Sequence, residues 1–108
     1  MSSGNDEIAR LRRAFDALPK VPGHGEMFEE RHGDVLPEWV MLIIANPREQ
    51  FPEYRDGILR TIIVGRVPES RQWIKVIFEG TLETGEFLTA YRDRRLNSRY
   101  GGGPWDTN

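Results

Sequence analysis

The stretch Trp73-Ile-Lys-Val-Ile-Phe-Glu-Gly80, followed by Glu86-Phe-Leu-Thr-Ala-Tyr-Arg-Asp-Arg-Arg95, decides the fold. Successive side chains of a strand point to opposite faces of its sheet, so each segment separates into two sets of residues. One predicted face is a plain apolar core, formed by Ile74, Val76, Phe78, Leu88 and Ala90. The other mixes an amine, a hydroxyl and a phenol with apolar groups and carries Trp73, Lys75, Ile77, Phe87, Thr89 and Tyr91. We look for function on this second face.

The chain upstream of these strands predicts two helices. Asn5 is the predicted N-cap of the first helix. Its apolar stripe has helical spacing and consists of Ile8, Leu11, Phe15 and Leu18. Asp34 and Pro37 predict the start of the second helix, and Asn46-Pro47 ends it.

Further strands are predicted between the helices and the quoted stretch. Asp56-Gly57 is a signal for a two-residue type I′ hairpin turn between strands over 51–55 and 58–67. Pro52 places the first of them at a sheet edge, because proline cannot donate to a neighbouring strand. Short connections then give an antiparallel meander of three or four strands. Since each element has one apolar side, we predict an α+β fold with the two N-terminal helices packed on one face of this sheet.

Composition predicts an ordinary globular protein of one domain, since 38% of the 108 residues are hydrophobic and 30% are charged. We expect this domain to cover residues 5–97, between a flexible N-terminus (1–4) and a flexible Gly-rich tail (98–108). The sequence has no cysteine and no run near the ~20 apolar residues of a membrane span, so we expect a cytoplasmic protein. We also expect no cofactor and no metal, because His24 and His32 lack the i, i+4 spacing of helical zinc sites.

Charge is distributed unevenly along a chain whose formal net charge is -2. Residues 26–38 contain five acids and one base, whereas residues 91–100 contain four arginines and one acid. Thirteen of the fifteen basic residues are arginine, whose planar guanidinium matches phosphate oxygens. A phosphate-binding segment that includes Arg92, Arg94 and Arg95 and a solvated charged tail both fit this pattern.

If the helices cover the apolar face, the polar residues gather on the second face. Lys75, Thr89 and Tyr91 would then lie near Arg60 or Thr61 of the preceding strand, depending on register. This combination suits an anionic ligand, and on a phosphodiester Lys75 and an arginine would stabilise the charge on the equatorial oxygens. His32, in a loop above the sheet, would exchange protons near neutral pH. Each residue also has an ordinary role in a strand or surface loop.

Several short motifs, in this order and spacing, resemble the barnase–EndoU–colicin–RelE superfamily of small prokaryotic and phage proteins. The resemblance spans about residues 31–95. Its motifs are His32, Leu36-Pro-Glu-Trp-Val40, Ile43-Ile-Ala-Asn-Pro47, Trp73-Ile-Lys-Val76 and Leu88-Thr-Ala-Tyr91. The resemblance implies N-terminal helices on an antiparallel sheet and a toxin-like, metal-independent endoribonuclease. Such an enzyme uses the ribose 2′-hydroxyl to attack the adjacent phosphate and leaves a 2′,3′-cyclic phosphate.

The resemblance also implies roles for individual residues and partners. His32 matches the histidine of the family, Lys75 its strand cation, Thr89 its strand hydroxyl and Tyr91 its aromatic residue. Arg60 matches loosely as a further catalytic cation, and Arg92 as a phosphate-binding residue. RNA and a cognate antitoxin or immunity protein are the implied partners. Two alternatives remain open: a catalytically inactive RNA- or protein-binding module, and a small antitoxin or immunity protein.

Overall fold

The computed structural model describes residues 3–31, 33–69 and 72–101. The helices are α1 (Ser3–Ala17), α2 (Phe28–Arg31), α3 (Pro37–Ala45) and α4 (Arg95–Tyr100), and a 3-10 turn covers Gly25–Met27. The strands are β1 (Glu49–Arg55), β2 (Ile58–Gly65), β3 (Ile74–Glu79) and β4 (Glu86–Arg92). They form one four-stranded antiparallel sheet in the order β1-β2-β3-β4. The predicted α+β fold, with N-terminal helices on a meander sheet, is therefore confirmed.

The main core lies between the N-terminal helices and one face of the sheet, which we call the first face. Its centre is the fully buried ring of Phe87. The ring centroids of Phe15 and Phe28 each lie 5.2 Å from that of Phe87, and the ring of Phe78 lies 5.9 Å away. All three approach nearly edge-on, the arrangement that aromatic quadrupoles favour. In the described part of the chain, no helix combines the length and apolar character needed to cross a membrane.

A β-bulge in β4 corrects the predicted faces of two residues. Ile77 pairs with Thr89, but the next residue, Phe78, pairs with Phe87, so Leu88 is an extra residue in β4. One inserted residue reverses the alternation beyond it. Phe87, expected on the second face, therefore lies in the main core. Leu88, expected in that core, packs on the second face.

The second face is partly covered, by the C-terminal helix α4. Beneath α4 it has a small core of its own, formed by Ile62, Val64, Trp73, Ile77 and Leu96. The indole Nε1 of Trp73 donates a hydrogen bond of 2.7 Å to the carbonyl oxygen of Gly101. The predicted flexible tail began at residue 98, but residues 98–100 complete α4. Likewise, α1 begins at Ser3, within the segment expected to be flexible, while residues 1–2 and 102–108 lie outside the described residues.

The hairpin between β1 and β2 has the predicted turn. Asp56 and Gly57 both have positive φ angles, 53° and 79°, as a type I′ turn requires. Pro52 lies in β1, which is an edge strand, as expected. The strands end earlier than predicted, with β2 ending at Gly65 and β4 at Arg92.

The loop between α1 and α2 is attached to the outer edge of β4. Val21 donates a backbone hydrogen bond of 2.9 Å to the carbonyl oxygen of Phe87, whose own N–H donates to Pro19 at 2.8 Å. Gly25 packs so closely on this strand that a Cβ atom there would overlap the Phe87 carbonyl oxygen. Glycine is therefore required at position 25, and this close approach fixes the neighbouring His24 beside β4.

The bulge can be tested by comparing two adjacent substitutions. We expect Phe87→Ala to lower the free energy of unfolding by about 3–5 kcal/mol, because it empties the centre of the main core. Leu88→Ala should cost only about 1 kcal/mol, since this side chain is half-exposed on the second face. Urea unfolding of both variants measures the difference. Equal losses, or a larger loss for Leu88→Ala, would contradict the register.

Candidate functional site

A cleft of about 300 Å³ opens on the second face, at the end of the sheet where β4 is bulged. Its lining residues come from three strands and from the segment between α1 and α3. They are His24, Arg31, Arg60, Glu79, Leu88 and Thr89. An imidazole, two guanidinium groups, a carboxylate and a hydroxyl thus line one space, whose volume is at the lower end of the ~300–1,000 Å³ range of ligand pockets.

The sheet register explains how these residues meet. Arg60 of β2 is directly opposite Glu79 of β3, so the two side chains leave the same face at neighbouring positions. Thr89 of β4 is paired with Ile77 and faces the same side, and the bulge brings Leu88 to that side next to it. The loop docked on β4 supplies His24, and the end of α2 supplies Arg31. The cleft therefore depends on contacts between segments that are distant in sequence.

The described residues that line the cleft carry a small excess of positive charge. Arg31 and Arg60 carry two positive charges against the single carboxylate of Glu79, so the lining has an excess positive charge even with a neutral imidazole. Arg60 is half-buried, and its Nε is a buried atom with no hydrogen-bond partner among the residues that the structure describes. An unsatisfied buried N–H costs about 1–3 kcal/mol. A ligand oxygen that accepted this hydrogen bond would recover that cost.

The cleft contains only some of the residues predicted from the sequence. Arg60 and Thr89 both line it. Lys75 and Tyr91 are paired directly across β3 and β4 and share the second face with Thr89, as the alternation predicted. They lie further along the strands, toward α4. The structure thus brings these four residues to one face but separates them into two groups.

In the second group, which consists of Lys75 and Tyr91, the lysine faces a buried carboxylate. Its Nζ lies 3.7 Å from Oδ2 of Asp93, a residue that is only 6% exposed. The Arg95 side chain donates to both carboxylate oxygens of Asp93, at 2.9 and 3.0 Å. The pKa of Asp93 is lowered, chiefly by this hydrogen bond and to a smaller extent by Lys75. Asp93 therefore stays ionised and offsets part of the positive charge of Lys75 and Arg95.

The remaining predicted residues lie elsewhere. Arg92 points to the helix side of the sheet, where its Nη2 donates to the carbonyl oxygen of Asp34 at 3.1 Å and its guanidinium lies 5.8 Å from the ring of Trp39. It is therefore separated by the sheet from Lys75. Arg94 is exposed immediately before α4. His32 lies outside the described residues.

Three lining residues of the cleft were missed: His24, Arg31 and Glu79. The signal for Glu79 was present, because it continues the alternation that selects Lys75 and Ile77. No local pattern marks His24 or Arg31, since only the docking of their segment on β4 brings them to the sheet. Within residues 3–31, 33–69 and 72–101, no cluster of three or more His, Asp or Glu side chains is arranged to hold a metal ion.

The contacts of Asp93 predict a pH dependence of stability. Because its pKa is lowered by folding, its carboxylate stabilises the protein fully above the unfolded-state value of about 3.9. This contribution is lost as the pH falls through the folded-state pKa. Asp93→Asn should lower the free energy of unfolding by about 1 kcal/mol at pH 7. Its stability should converge with that of the wild type in urea titrations below about pH 4. Glu83→Gln, in the exposed β3–β4 turn, is the control, and parallel curves for Asp93→Asn and the wild type would refute the assignment.

Comparison with known proteins gives no match: no family model fits the chain, and no curated protein or solved structure is significantly similar to it. Neither the sequence resemblance nor its implied roles gain support from these comparisons. The candidate site therefore rests on the geometry and charge of the cleft.

Proposed function

We propose that this protein is an endoribonuclease that cleaves RNA at the cleft by transesterification. The observation that carries the proposal is the meeting of Glu79, His24 and two arginines, Arg31 and Arg60, around one space of about 300 Å³. A carboxylate and an imidazole supply a base and an acid, and guanidinium groups suit a phosphate. The cleavage of a phosphodiester beside a ribose hydroxyl needs these three functions and no other group.

The reaction assigns one proton transfer to each of two residues. The Glu79 carboxylate removes the proton of the ribose 2′-hydroxyl, and the 2′-oxygen then forms a bond to phosphorus. The bond from phosphorus to the 5′-oxygen breaks, and protonated His24 donates its proton to that leaving oxygen. The products are a 2′,3′-cyclic phosphate and a 5′-hydroxyl, and the two residues exchange protonation states. Imidazole suits the acid role because it titrates nearest to neutral pH.

The cations of the cleft would stabilise the transition state. The buried Nε of Arg60 has no acceptor in the described part of the chain, so it would donate to a phosphoryl oxygen as negative charge develops there. Arg31, exposed at the end of α2, adds a second positive charge. Thr89 lies at the wall of the cleft, where its hydroxyl would orient the phosphate.

Lys75 and Tyr91, which the sequence predicted to be catalytic, become substrate-binding residues in this proposal. Both lie on the second face beyond the cleft, where they would contact the substrate next to the scissile phosphate. Lys75 remains 22% exposed while it faces Asp93. Because Asp93 offsets part of its charge, Lys75 is a weaker candidate than Arg60 for the cation that stabilises the transition state. His32 stays a predicted catalytic residue, and its substitution is part of the test below.

The sequence resemblance supports a toxin-like role within the same proposal. Such a protein would arrest the growth of a bacterial host that expresses it, and a cognate antitoxin or immunity protein would relieve the arrest. Growth that continues normally, together with RNA that is bound but intact, would favour the alternative of a binding module.

The proposed chemistry predicts large effects of two isosteric substitutions. Glu79→Gln and His24→Asn should each lower the rate of RNA cleavage by about 10²–10⁴, because each removes a proton-transfer group. Arg60→Gln should lower it by about 10²–10³ through loss of charge stabilisation. The measurement is single-turnover cleavage of an end-labelled RNA, with the 2′,3′-cyclic phosphate identified by its resistance to phosphatase until acid treatment. Wild-type activity should follow a bell-shaped pH profile.

Matched controls separate chemistry from folding. Glu83→Gln and Arg55→Gln remove the same side chains at exposed sites outside the cleft lining and should cleave at the wild-type rate. Unchanged RNA with excess wild-type protein, or full activity in both Glu79→Gln and His24→Asn, would reject the proposal. Loss of activity in His32→Ala but not in His24→Asn would return the proton-transfer role to the residue selected from the sequence.

A further inference from the structure

Three arginines surround a pair of aromatic rings at the opposite end of the second face. The rings are those of Trp73 and Tyr100, whose centroids are 5.3 Å apart. The guanidinium of Arg66 lies 4.7 Å from the Trp73 ring. Those of Arg48 and Arg99 lie 5.5 and 5.6 Å from the Tyr100 ring. We call Arg48, Arg66 and Arg99 the arginine platform.

The three arginines of the platform come from the ends of two strands and from a helix. Arg48 immediately precedes β1 and donates a backbone hydrogen bond of 2.7 Å to the carbonyl oxygen of Val64. Arg66 immediately follows β2, and Arg99 lies in α4. All three residues are exposed. The platform is therefore assembled where the start of β1, the end of β2 and the C-terminal helix meet.

The aromatic pair beneath the platform is itself anchored. Trp73 donates its indole N–H to Gly101, and Tyr100 donates its hydroxyl to Glu49. Burial and this hydrogen bond raise the pKa of Tyr100, so its hydroxyl stays protonated. Arginines stacked on fixed rings lose less side-chain freedom when they bind a ligand. Arg48 and Arg99, which the test below substitutes, are both exposed.

The local charge favours a polyanion. The platform carries three guanidinium groups, and the Glu49 carboxylate beside the aromatic pair already accepts the hydrogen bond of Tyr100. The acidic residues Asp34 and Glu38 belong to the helix side of the sheet, because their partners Arg92 and Arg12 lie there. The three exposed guanidinium groups of the platform would therefore attract a negatively charged chain locally, despite the net charge of -2.

We propose that the arginine platform binds phosphates of single-stranded RNA at nucleotides beyond the cleft. The identity of this ligand rests on the proposed function. Arg60 in the cleft and Gly65, which precedes Arg66, are five residues apart on β2, or about 17 Å at the rise of a strand. Cleft and platform are thus too far apart to hold the same phosphate. Lys75 and Tyr91 lie on the face between them and complete a path for an extended strand. The guanidinium planes also offer stacking surfaces for unpaired bases.

The test measures binding apart from chemistry. The ligand is a fluorescent 2′-O-methyl oligonucleotide of about twelve nucleotides, which has no free 2′-hydroxyl and cannot be cleaved. Fluorescence anisotropy as a function of salt gives its affinity and the number of phosphate contacts. We expect R48Q/R99Q to bind at least about tenfold more weakly at low salt, with a salt slope smaller by about 1.4, since each contact to a single strand contributes about 0.7.

Two further variants make the result specific. R10Q/R13Q removes the same charge from exposed positions of α1 and should bind like the wild type. R48K/R99K keeps the charge, so most of the salt slope should return. Three results would each contradict RNA binding by the platform. They are a wild-type salt slope in R48Q/R99Q, an equal loss of affinity in R10Q/R13Q, and no binding of the oligonucleotide by the wild-type protein.

A dinucleoside monophosphate separates this inference from the proposed function. Such a substrate fills the cleft but does not reach the platform. We expect R48Q/R99Q to cleave this substrate at the wild-type rate. If the variant instead loses cleavage of the dinucleotide to the same extent as it loses oligonucleotide binding, the platform is not a separate binding surface. Failure of the wild-type protein to cleave it would reject the proposed chemistry, while the anisotropy result would still decide whether the platform binds RNA.

Discussion

The β-bulge at residues 87–89 is the constraint on which the rest of the structure depends. It allows Phe87 to enter the core while Thr89 faces the other side of the sheet. The same Phe87 backbone holds the loop between α1 and α2 through hydrogen bonds to Pro19 and Val21. One irregularity in one strand thus joins the helices to the sheet and brings His24 to the cleft. The core residue Phe87 and the cleft residue Thr89 lie on either side of the bulge, so the core and the candidate site depend on the same short segment of β4.

The sheet separates two chemical environments. Its first face is sealed by apolar contacts with the helices, and its second face combines a small core under α4 with charged groups at both ends. Asp93 lies between these ends, where it engages Lys75 and Arg95. Because Asp93 offsets part of the charge of these two cations, the exposed guanidinium groups at the two ends are the sites that we propose for an anion. A phosphate at the cleft and a chain extending to the platform would use the same surface.

Local patterns predicted much of the fold. The alternation of residues 74–79 placed Lys75 correctly, and Asp56-Gly57 identified its turn, because both signals depend on neighbouring residues. The bulge was not predictable, since pairing across β3 and β4 decides where an extra residue fits. The short helix α4 was overlooked even though Leu96 and Tyr100 have i, i+4 spacing. Of the cleft, Arg60 and Thr89 were found, Glu79 could have been found, and His24 depends on long-range docking.

Both edges of the sheet are protected from growth by strand addition. On β1, Pro52 lacks the N–H that a neighbouring molecule would need, and on β4 the segment Pro19–Val21 already occupies the backbone groups of Phe87. Unprotected edges are where sheets of separate molecules join into fibrils. Each edge of this meander is therefore interrupted at one position where strand addition, the step that begins amyloid-type association, would need a backbone hydrogen bond.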